Sequence, residues 1–466
     1  AKSPGFHRGE SCGGVHKVGR GVRGMIKTKP FSWWYGSPFR MFLLFFLYPL
    51  FMGFFIQFVA LPYLFPSLHA GEGLLQGGDW LYFHRLAKDL AERIRVEGWG
   101  VWELRPEGQA PAGIAAIFYL FFAPKPWVML PFNALVHALG GIVLFFLVYD
   151  LVGERSSAFL ATLPFVFFPS AMNWYAQLHK DGIFALGVLL FLWGWCMLVE
   201  RKRGVFSLFA IAGGSLVVWV VRPYAVEILG FLSLVAALAL SLVMLFRRRK
   251  PELWWMTLVF LWVAAFSVNG IARIGKPIEK PIEKPIEKPI EKPSTYPWSY
   301  SPWVPDFIEE KLRGLAEVRE QYRFIDPEAM GNIDWEVTFH SVGDVLRYIP
   351  RAVVVGFLAP FPSDWLKEGT SPGGALKRRI CGLEMVVVYL SLFFFALTFW
   401  RYRKVPLVVV FFFAFLMLLI YALAFPNLGP LYRERYGFLM TLVALGIGGW
   451  HVGVRLGKTG KFRGVP

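Results

Sequence analysis

The chain contains a series of apolar stretches, each about as long as a membrane-spanning helix, and they constrain its fold more than any other feature. A helix needs about 20 mainly apolar residues to cross the hydrocarbon core of a bilayer. Hydrophobic residues make up 56% of the 466 residues and aromatic residues 18%, a composition typical of a polytopic membrane protein and not of several soluble domains. The sequence therefore predicts an all-α protein that crosses a membrane many times.

Short clusters of Lys and Arg lie between the apolar stretches and carry most of the net charge of +17. This is the pattern of cytoplasmic loops, so we expect membrane lipids and no nucleic acid as partners. Orienting the chain with these clusters inside predicts about ten spanning helices and two cytoplasmic termini. The predicted spans are residues 41–63, 127–149, 156–172, 182–199, 205–221, 225–246, 253–274, 383–400, 406–425 and 436–454. Residues 114–122 and 345–361 are expected to be membrane-surface helices, because counting them as spans would place basic clusters outside.

The predicted organisation has five segments in chain order. A basic cytoplasmic segment, 1–40, precedes a transmembrane module, 41–274, whose first external loop is 64–126. A long external loop, 275–380, is followed by the C-terminal transmembrane helices, 381–455, and a basic tail, 456–466. Residues 1–24 are expected to be a disordered extension or a start-site artefact, since Met25 would be a more natural start. The N-terminal segment has no apolar core and is not expected to be a cleavable signal peptide.

The long external loop begins with a tandem Lys-Pro-Ile-Glu repeat, from Lys276 to Pro293. A proline at every fourth position excludes both helix and sheet, so a solvated, polyproline-like spacer is predicted. Beyond it, Asp306–Tyr322 has mixed charges at helical spacing and is predicted to form a small external helix. The three cysteines of the chain have no metal-like spacing, so neither a disulfide framework nor a cysteine nucleophile is expected.

The most informative polar residues lie at predicted external junctions. Asp79 follows the first apolar stretch, and cations at Lys180, Arg433 and Arg435 begin later helices. A cation at a helix N-terminus opposes the helix dipole by a few tenths of a kcal/mol to about 1 kcal/mol, whereas a bound anion would reverse that sign. Arg222 lies at a C-terminal helix end, where a cation is already favourable, and is weaker evidence.

Each of these residues also has a purely structural interpretation. Asp79 follows two glycines and could simply belong to a turn, and Asp181 is a good N-cap. Lys180 and His179 could extend to lipid headgroups. Arg433 or Arg435 could pair with Glu434 or anchor lipid phosphates. The sequence alone leaves these interpretations open.

The arrangement resembles the GT-C superfamily of integral-membrane glycosyltransferases, especially the bacterial relatives of protein O-mannosyltransferases and lipid A aminoarabinose transferases. The resemblance is carried by Asp79-x-x-Tyr82-x-x-x-x-Ala87, by a Gly-rich turn and a Pro-led surface helix (Pro111-Ala-Gly-Ile), by His179-Lys180-Asp181, and by Arg433-x-Arg435-Tyr436. It covers residues 40–455 as architecture. In that family the acidic residue of the first external loop lies at the catalytic centre, and the donor is a sugar on a polyprenyl phosphate.

The resemblance implies that Asp79 is the general base for an acceptor hydroxyl, or the ligand of a divalent cation such as Mg²⁺ or Mn²⁺. Many members have a paired Asp-Glu in this loop, whereas Gly78-Asp79-Trp80 has one acid. The secondary candidates are Glu103 and Glu107 as a second carboxylate, with Asp181, His179 and Tyr82. The predicted phosphate-binding residues are Lys180, Arg433, Arg435 and Arg222.

These residue types suit an inverting displacement of polyprenyl phosphate, which needs a base and positive charge but no protein nucleophile. We therefore expect a glycosyltransferase at the external face of the plasma (inner) membrane that modifies a polysaccharide, glycolipid or glycoprotein of the cell envelope. One alternative is an O-antigen ligase or polymerase that uses a pyrophosphate-linked oligosaccharide. The others are a transporter of lipid-linked saccharides and a non-catalytic subunit of envelope assembly.

Overall fold

The fold is a bundle of α-helices in the computed structural model, which describes residues 32–200, 204–246, 296–325, 327, 329–369 and 373–458. Eight helices in these residues are long and apolar enough to cross a membrane. The protein is therefore a multi-pass membrane protein, as predicted. The eight candidate spans are Pro38–Leu64, Pro126–Val152, Asp181–Val199, Gly204–Val221, Pro223–Val243, Gly374–Tyr402, Val405–Ala424 and Tyr436–Arg455.

The principal helices are numbered in chain order. A four-residue helix, Ser32–Tyr35, precedes them, and α1 continues through a π-helical segment, Ile56–Leu64. The helices are α1 (Pro38–Phe55), α2 (Asp79–Glu97), α3 (Ala110–Phe121), α4 (Leu130–Val152), α5 (Arg155–Phe167), α6 (Pro169–Tyr175), α7 (Asp181–Val199), α8 (Gly204–Val221), α9 (Pro223–Phe246), α10 (Asp306–Ile325), α11 (Val342–Leu358), α12 (Gly374–Tyr402), α13 (Val405–Ala424), α14 (Leu428–Glu434) and α15 (Tyr436–Lys458).

Two of the ten predicted spans are not among these eight. Residues 156–172 form two shorter helices, α5 and α6, because the chain becomes extended at Phe168, the residue before Pro169. A residue before proline is disfavoured in the helical region, which explains the break. The other predicted span, 253–274, lies outside the described residues, as do the Lys-Pro-Ile-Glu repeat and the basic cluster at 247–250. The count of ten therefore stays a prediction.

The shorter helices lie close to where they were predicted. Helix α3, 12 residues long, covers the first predicted surface segment, and α11 covers most of the second. Helix α10 is present and is tied to the bundle by Arg319, which is buried and donates to the carbonyls of Asp334 (2.7 Å) and Leu423 (3.1 Å). These bonds fix α10 over one end of α13.

Helix α7 lies at the centre of the bundle and packs closely against α8. A Cβ atom added at Gly187 would lie 2.9 Å from the carbonyl oxygen of Gly214, and one added at Gly194 would lie 2.7 Å from the nitrogen of Ile211. Small residues let helix backbones approach closely in membrane proteins. This packing holds the N-terminus of α7 and the C-terminus of α8 side by side, where the candidate site forms.

Candidate active site

Four chain segments meet at one end of the bundle and form a charged cluster. They are the start of α2 with Asp79, the turn before α7 with His179 to Asp181, the α8–α9 junction with Arg222, and α14 with Arg433 and Glu434. The sequence predicted these junctions on one side of the membrane. The structure places their side chains within contact distance of one another.

The start of α2 is shaped by the residues around Asp79. Gly77 has φ +74°, a conformation that favours glycine, and a Cβ at Gly78 would collide with the indole of Trp80. That indole is buried and donates to the carbonyl of Leu75. The two glycines and the anchored tryptophan thus fix Asp79 as the first residue of α2, with 40% of its side chain exposed.

Arg433 connects the exposed and the buried parts of the cluster. Its Nη1 lies 4.0 Å from Asp79 Oδ2 and 2.9 Å from His179 Nε2, and its Nε lies 3.9 Å from Asp181 Oδ2. Its side chain keeps 26% exposure. Arg433 can therefore contact a ligand beside Asp79 while the buried residues orient it.

The contacts of His179 favour the neutral tautomer with its proton on Nδ1. Arginine is always a donor, so Nε2 has to accept from Arg433 (2.9 Å), while Nδ1 lies 2.6 Å from Asp181 Oδ2. The backbone N–H of Asp181 also points at Nδ1, at 3.1 Å, and can donate to it only in the other tautomer. A carboxylate at 2.6 Å selects the Nδ1–H form. Burial lowers the pKa of His179, although Asp181 opposes the shift.

Arg222 is paired with two carboxylates. Its Nη2 contacts Asp181 Oδ1, and its Nη1 lies 2.7 Å from Glu434 Oε2, which also accepts from Tyr224 (3.0 Å). The guanidinium is buried and lies over the ring of Phe184 at 4.4 Å. Since its charge is already matched, Arg222 fastens α7, α9 and α14 together and has no exposed face for a ligand.

Lys180 is a cation of the cluster without a close anion. Among the described residues its Nζ has no hydrogen bond or ion pair, and the side chain is partly buried. Burial, followed by the charge of Arg222, lowers the pKa of Lys180. A bound anion would restore the preference for the protonated amine.

Two residues near the cluster were not predicted from the sequence. Lys377 of α12 and Arg433 are close enough for their charges to interact. Tyr322 of α10 lies close enough to the cluster for its charged residues to affect the Tyr322 hydroxyl: Glu434, Arg222, Arg433 and Asp79. Burial raises the pKa of Tyr322 to about 12. Sequence reasoning could have found Lys377, because it is another cation beside a span on the predicted external side. It could not have found Tyr322, because the proximity of Tyr322 to the cluster depends on how α10 packs against the bundle.

Arg435 lies apart from the cluster despite its position beside Glu434. It is completely buried, and its guanidinium donates to the carbonyls of Val355 (3.2 Å), Gly356 (2.6 Å) and Ala359 at the C-terminal end of α11. The C-terminal carbonyls of a helix have no partner within the helix. Arg435 supplies that partner, and we therefore leave it out of the phosphate-binding residues.

The secondary candidates of the first external loop face elsewhere. The Tyr82 hydroxyl donates to Glu107, and burial with this bond raises the pKa of Tyr82 to about 12. Glu103 is exposed, and no ion pair or hydrogen bond between described residues joins Glu103 or Glu107 to Asp79. The carboxylate that shares Arg433 with Asp79 is that of Asp181, whose Oδ2 lies 3.9 Å from Arg433 Nε. In the described part of the chain, no group of three or more His, Cys, Asp or Glu residues is placed to hold a metal ion.

No protein-family model matches the chain, and no curated protein or solved structure is significantly similar to it. The chemistry of the cluster is therefore the basis for inferring a function.

Proposed function

We propose that this protein is a membrane glycosyltransferase that moves a sugar from a polyprenyl-phosphate donor to an acceptor of the cell envelope. The active site is the cluster around Asp79, which faces the outside of the plasma membrane. Asp79 is the general base, and Arg433 and Lys180 hold the phosphate, with Lys377 as a further cation. The proposed function is the one expected from the sequence, but Arg222 and Arg435 are no longer among the phosphate-binding residues.

The observation that carries the proposal is a partly exposed carboxylate beside cations that lack a full set of anions. Asp79 Oδ2 lies 4.0 Å from Arg433 Nη1, which is too long for a hydrogen bond. Lys180 has no close anion in the described residues. An anionic ligand with a neighbouring hydroxyl would therefore satisfy both the cations and the base.

The reaction is a single displacement at the anomeric carbon. The acceptor oxygen attacks that carbon as its proton passes to Asp79, and the bond to the phosphate oxygen breaks with inversion of configuration. The electron pair of that bond leaves with the polyprenyl phosphate. Arg433 and Lys180 stabilise the charge that develops on this leaving group, an effect that preorganised donors provide strongly in a site shielded from water.

A pyrophosphate-linked oligosaccharide is the second candidate donor. The number of cations in the cluster supports it: Lys377 lies close enough to Arg433 for their charges to interact, and Lys180 has no close anion. A pyrophosphate carries more charge than a monophosphate ester and could use all three. With either donor Asp79 acts as the general base, but a pyrophosphate needs more positive charge from the cations than a monophosphate does.

The proposal is tested by giving purified protein each donor class and measuring donor affinity and sugar release, with water as the acceptor. Wild type is compared with Arg433→Gln and with the control Arg347→Gln, whose side chain is 86% exposed. Loss of a charge-assisted hydrogen bond costs about 1.5–3 kcal/mol, so Arg433→Gln should weaken donor binding about 10- to 100-fold and the control should not. Equal affinities for Arg433→Gln and wild type would contradict the assignment. Preferential release from the pyrophosphate-linked donor would select the second candidate, and translocation of intact donor across a vesicle membrane would indicate a transporter.

A further inference from the structure

A cavity lies at the opposite end of the bundle from Asp79. It has a volume of about 360 Å³, within the range of about 300–1,000 Å³ for small-molecule sites. It opens between the C-terminal ends of α4, α12 and α15 and the start of α13. None of the residues of the charged cluster lines it.

The wall of this cavity is mainly apolar. Leu151, Leu407, Leu445 and Val452 line it and come from three helices, α4, α13 and α15. Leu407 and Leu445 are almost completely buried in the bundle. A purely polar solute would leave this wall without a partner, so an occupant needs an apolar part.

The polar lining has an excess of positive charge. Arg455 pairs with Glu154, which also accepts hydrogen bonds from Ser156 (2.8 Å) and Ser157. Lys404 is the remaining lining cation, and its Nζ has one hydrogen-bond acceptor in the described residues, the carbonyl of Leu151 at 3.5 Å. After the Arg455–Glu154 pair is subtracted, the lining retains the single positive charge of Lys404.

We propose that this cavity is a binding site for one anionic phospholipid of the surrounding bilayer. An acyl chain occupies the apolar wall, and Lys404 binds the headgroup phosphate. A basic pocket between spanning helices is the arrangement that recognises anionic lipid heads. The site joins α4 to α12, α13 and α15, so the bound lipid stabilises these helices against one another.

The test uses purified protein in detergent, native mass spectrometry, and two probes with identical acyl chains, phosphatidylglycerol and phosphatidylcholine. Wild type should retain one phosphatidylglycerol with at least about tenfold preference over phosphatidylcholine. Lys404→Gln should reduce that preference to less than about twofold, since it removes the phosphate-binding charge. Leu407→Phe, which places a larger side chain in the cavity wall, should reduce retention of both lipids.

Arg401→Gln is the matched control, because it removes the same charge from an exposed residue that does not line the cavity. It should leave the preference unchanged within about twofold. Equal retention of the two lipids by wild type, or an equal loss in Arg401→Gln and Lys404→Gln, would overturn the proposal. Displacement of the lipid by inorganic phosphate alone would also overturn it, by showing a site for a soluble anion. The readout does not involve sugar transfer, so it can fail or succeed independently of the function proposed for the Asp79 cluster.

Discussion

Arg222, Arg433 and Arg435 carry the same guanidinium group, but their partners give each a different role. Arg222 is neutralised by Asp181 and Glu434, and Arg435 binds backbone carbonyls. Arg433 alone of the three keeps an exposed face and approaches Asp79. Burying a charge is tolerated when it is paired and hydrogen-bonded, and exposure separates the arginine that can bind a ligand from those that hold the fold.

The pH dependence of stability should report on His179. Its folded pKa is lowered by burial, whereas in the unfolded chain it is about 6.5. The unfolded state therefore binds a proton first, so the stability linked to His179 is complete above about pH 6.5 and is lost as pH falls through the folded pKa.

We expect wild type to lose stability more steeply than His179→Gln as the pH falls below about 6.5, as measured by unfolding transitions in detergent at a series of pH values. His340→Gln is the control, since that histidine is exposed and its Nδ1 lies 3.1 Å from the carbonyl oxygen of Pro297, away from the cluster; this variant should leave the wild-type pH profile unchanged. Parallel pH profiles for wild type and His179→Gln would show that His179 does not link protonation to stability.

At this scale the sequence predicted which junctions bring charged residues to one side of the membrane, but not how their charges pair. Threading the chain from its cytoplasmic basic clusters placed Asp79, Lys180, Arg222 and Arg433 on one side, where the three cations depart from the charge bias of the loops. The pairing of Arg222 with two carboxylates joins residues 41 and more than 200 positions apart, and nothing local in the sequence specifies it.

At the scale of helices, two elements show what hydropathy alone leaves out. The apolar stretch 156–172 is long enough to span, but Pro169 breaks it into α5 and α6, and the proline is the local signal of that break. Helix α11 covers most of residues 345–361, which were predicted to form a membrane-surface helix. Its last turn is fastened to the start of α15 by Arg435, a contact that hydropathy does not predict.

Arg435→Lys should therefore destabilise the protein. A lysine cannot reproduce the planar fork of donors, so at least one buried carbonyl loses its partner, which costs about 1–3 kcal/mol. The unfolding transition in detergent should shift accordingly, while donor affinity in the folded fraction stays within about twofold of wild type. A large loss of donor affinity with unchanged stability would show instead that Arg435 binds the donor phosphate.

At the scale of the whole molecule, the sequence predicted a helical membrane protein, and the eight apolar helices confirm it. Repeated stretches of about 20 apolar residues strongly favour a helical membrane protein, because the backbone N–H and C=O groups of a helix form their hydrogen bonds within the same segment, as a bilayer requires. The orientation of the bundle stays a prediction from the positive-inside rule.

Labelling of single cysteines tests this orientation in a background without Cys12, Cys196 and Cys381. Gln76→Cys, near Asp79, and Glu310→Cys, on α10, should react with a membrane-impermeant maleimide in intact cells. Arg401→Cys, at the other end of the bundle, should react only after lysis. The reverse pattern would place the charged cluster in the cytoplasm, away from externally presented lipid-linked sugars.

The most direct measurement compares donor binding and sugar transfer in Asp79→Asn and in the control Asp89→Asn. Asp89 lies on the same helix, is exposed and has no ion pair or hydrogen bond in the described residues. If Asp79 is the base, Asp79→Asn should bind polyprenyl-phosphate sugar within about threefold of wild type but transfer it about 10²–10⁴-fold more slowly, and Asp89→Asn should match wild type in both. Transfer by Asp79→Asn at the wild-type rate would contradict the proposed mechanism.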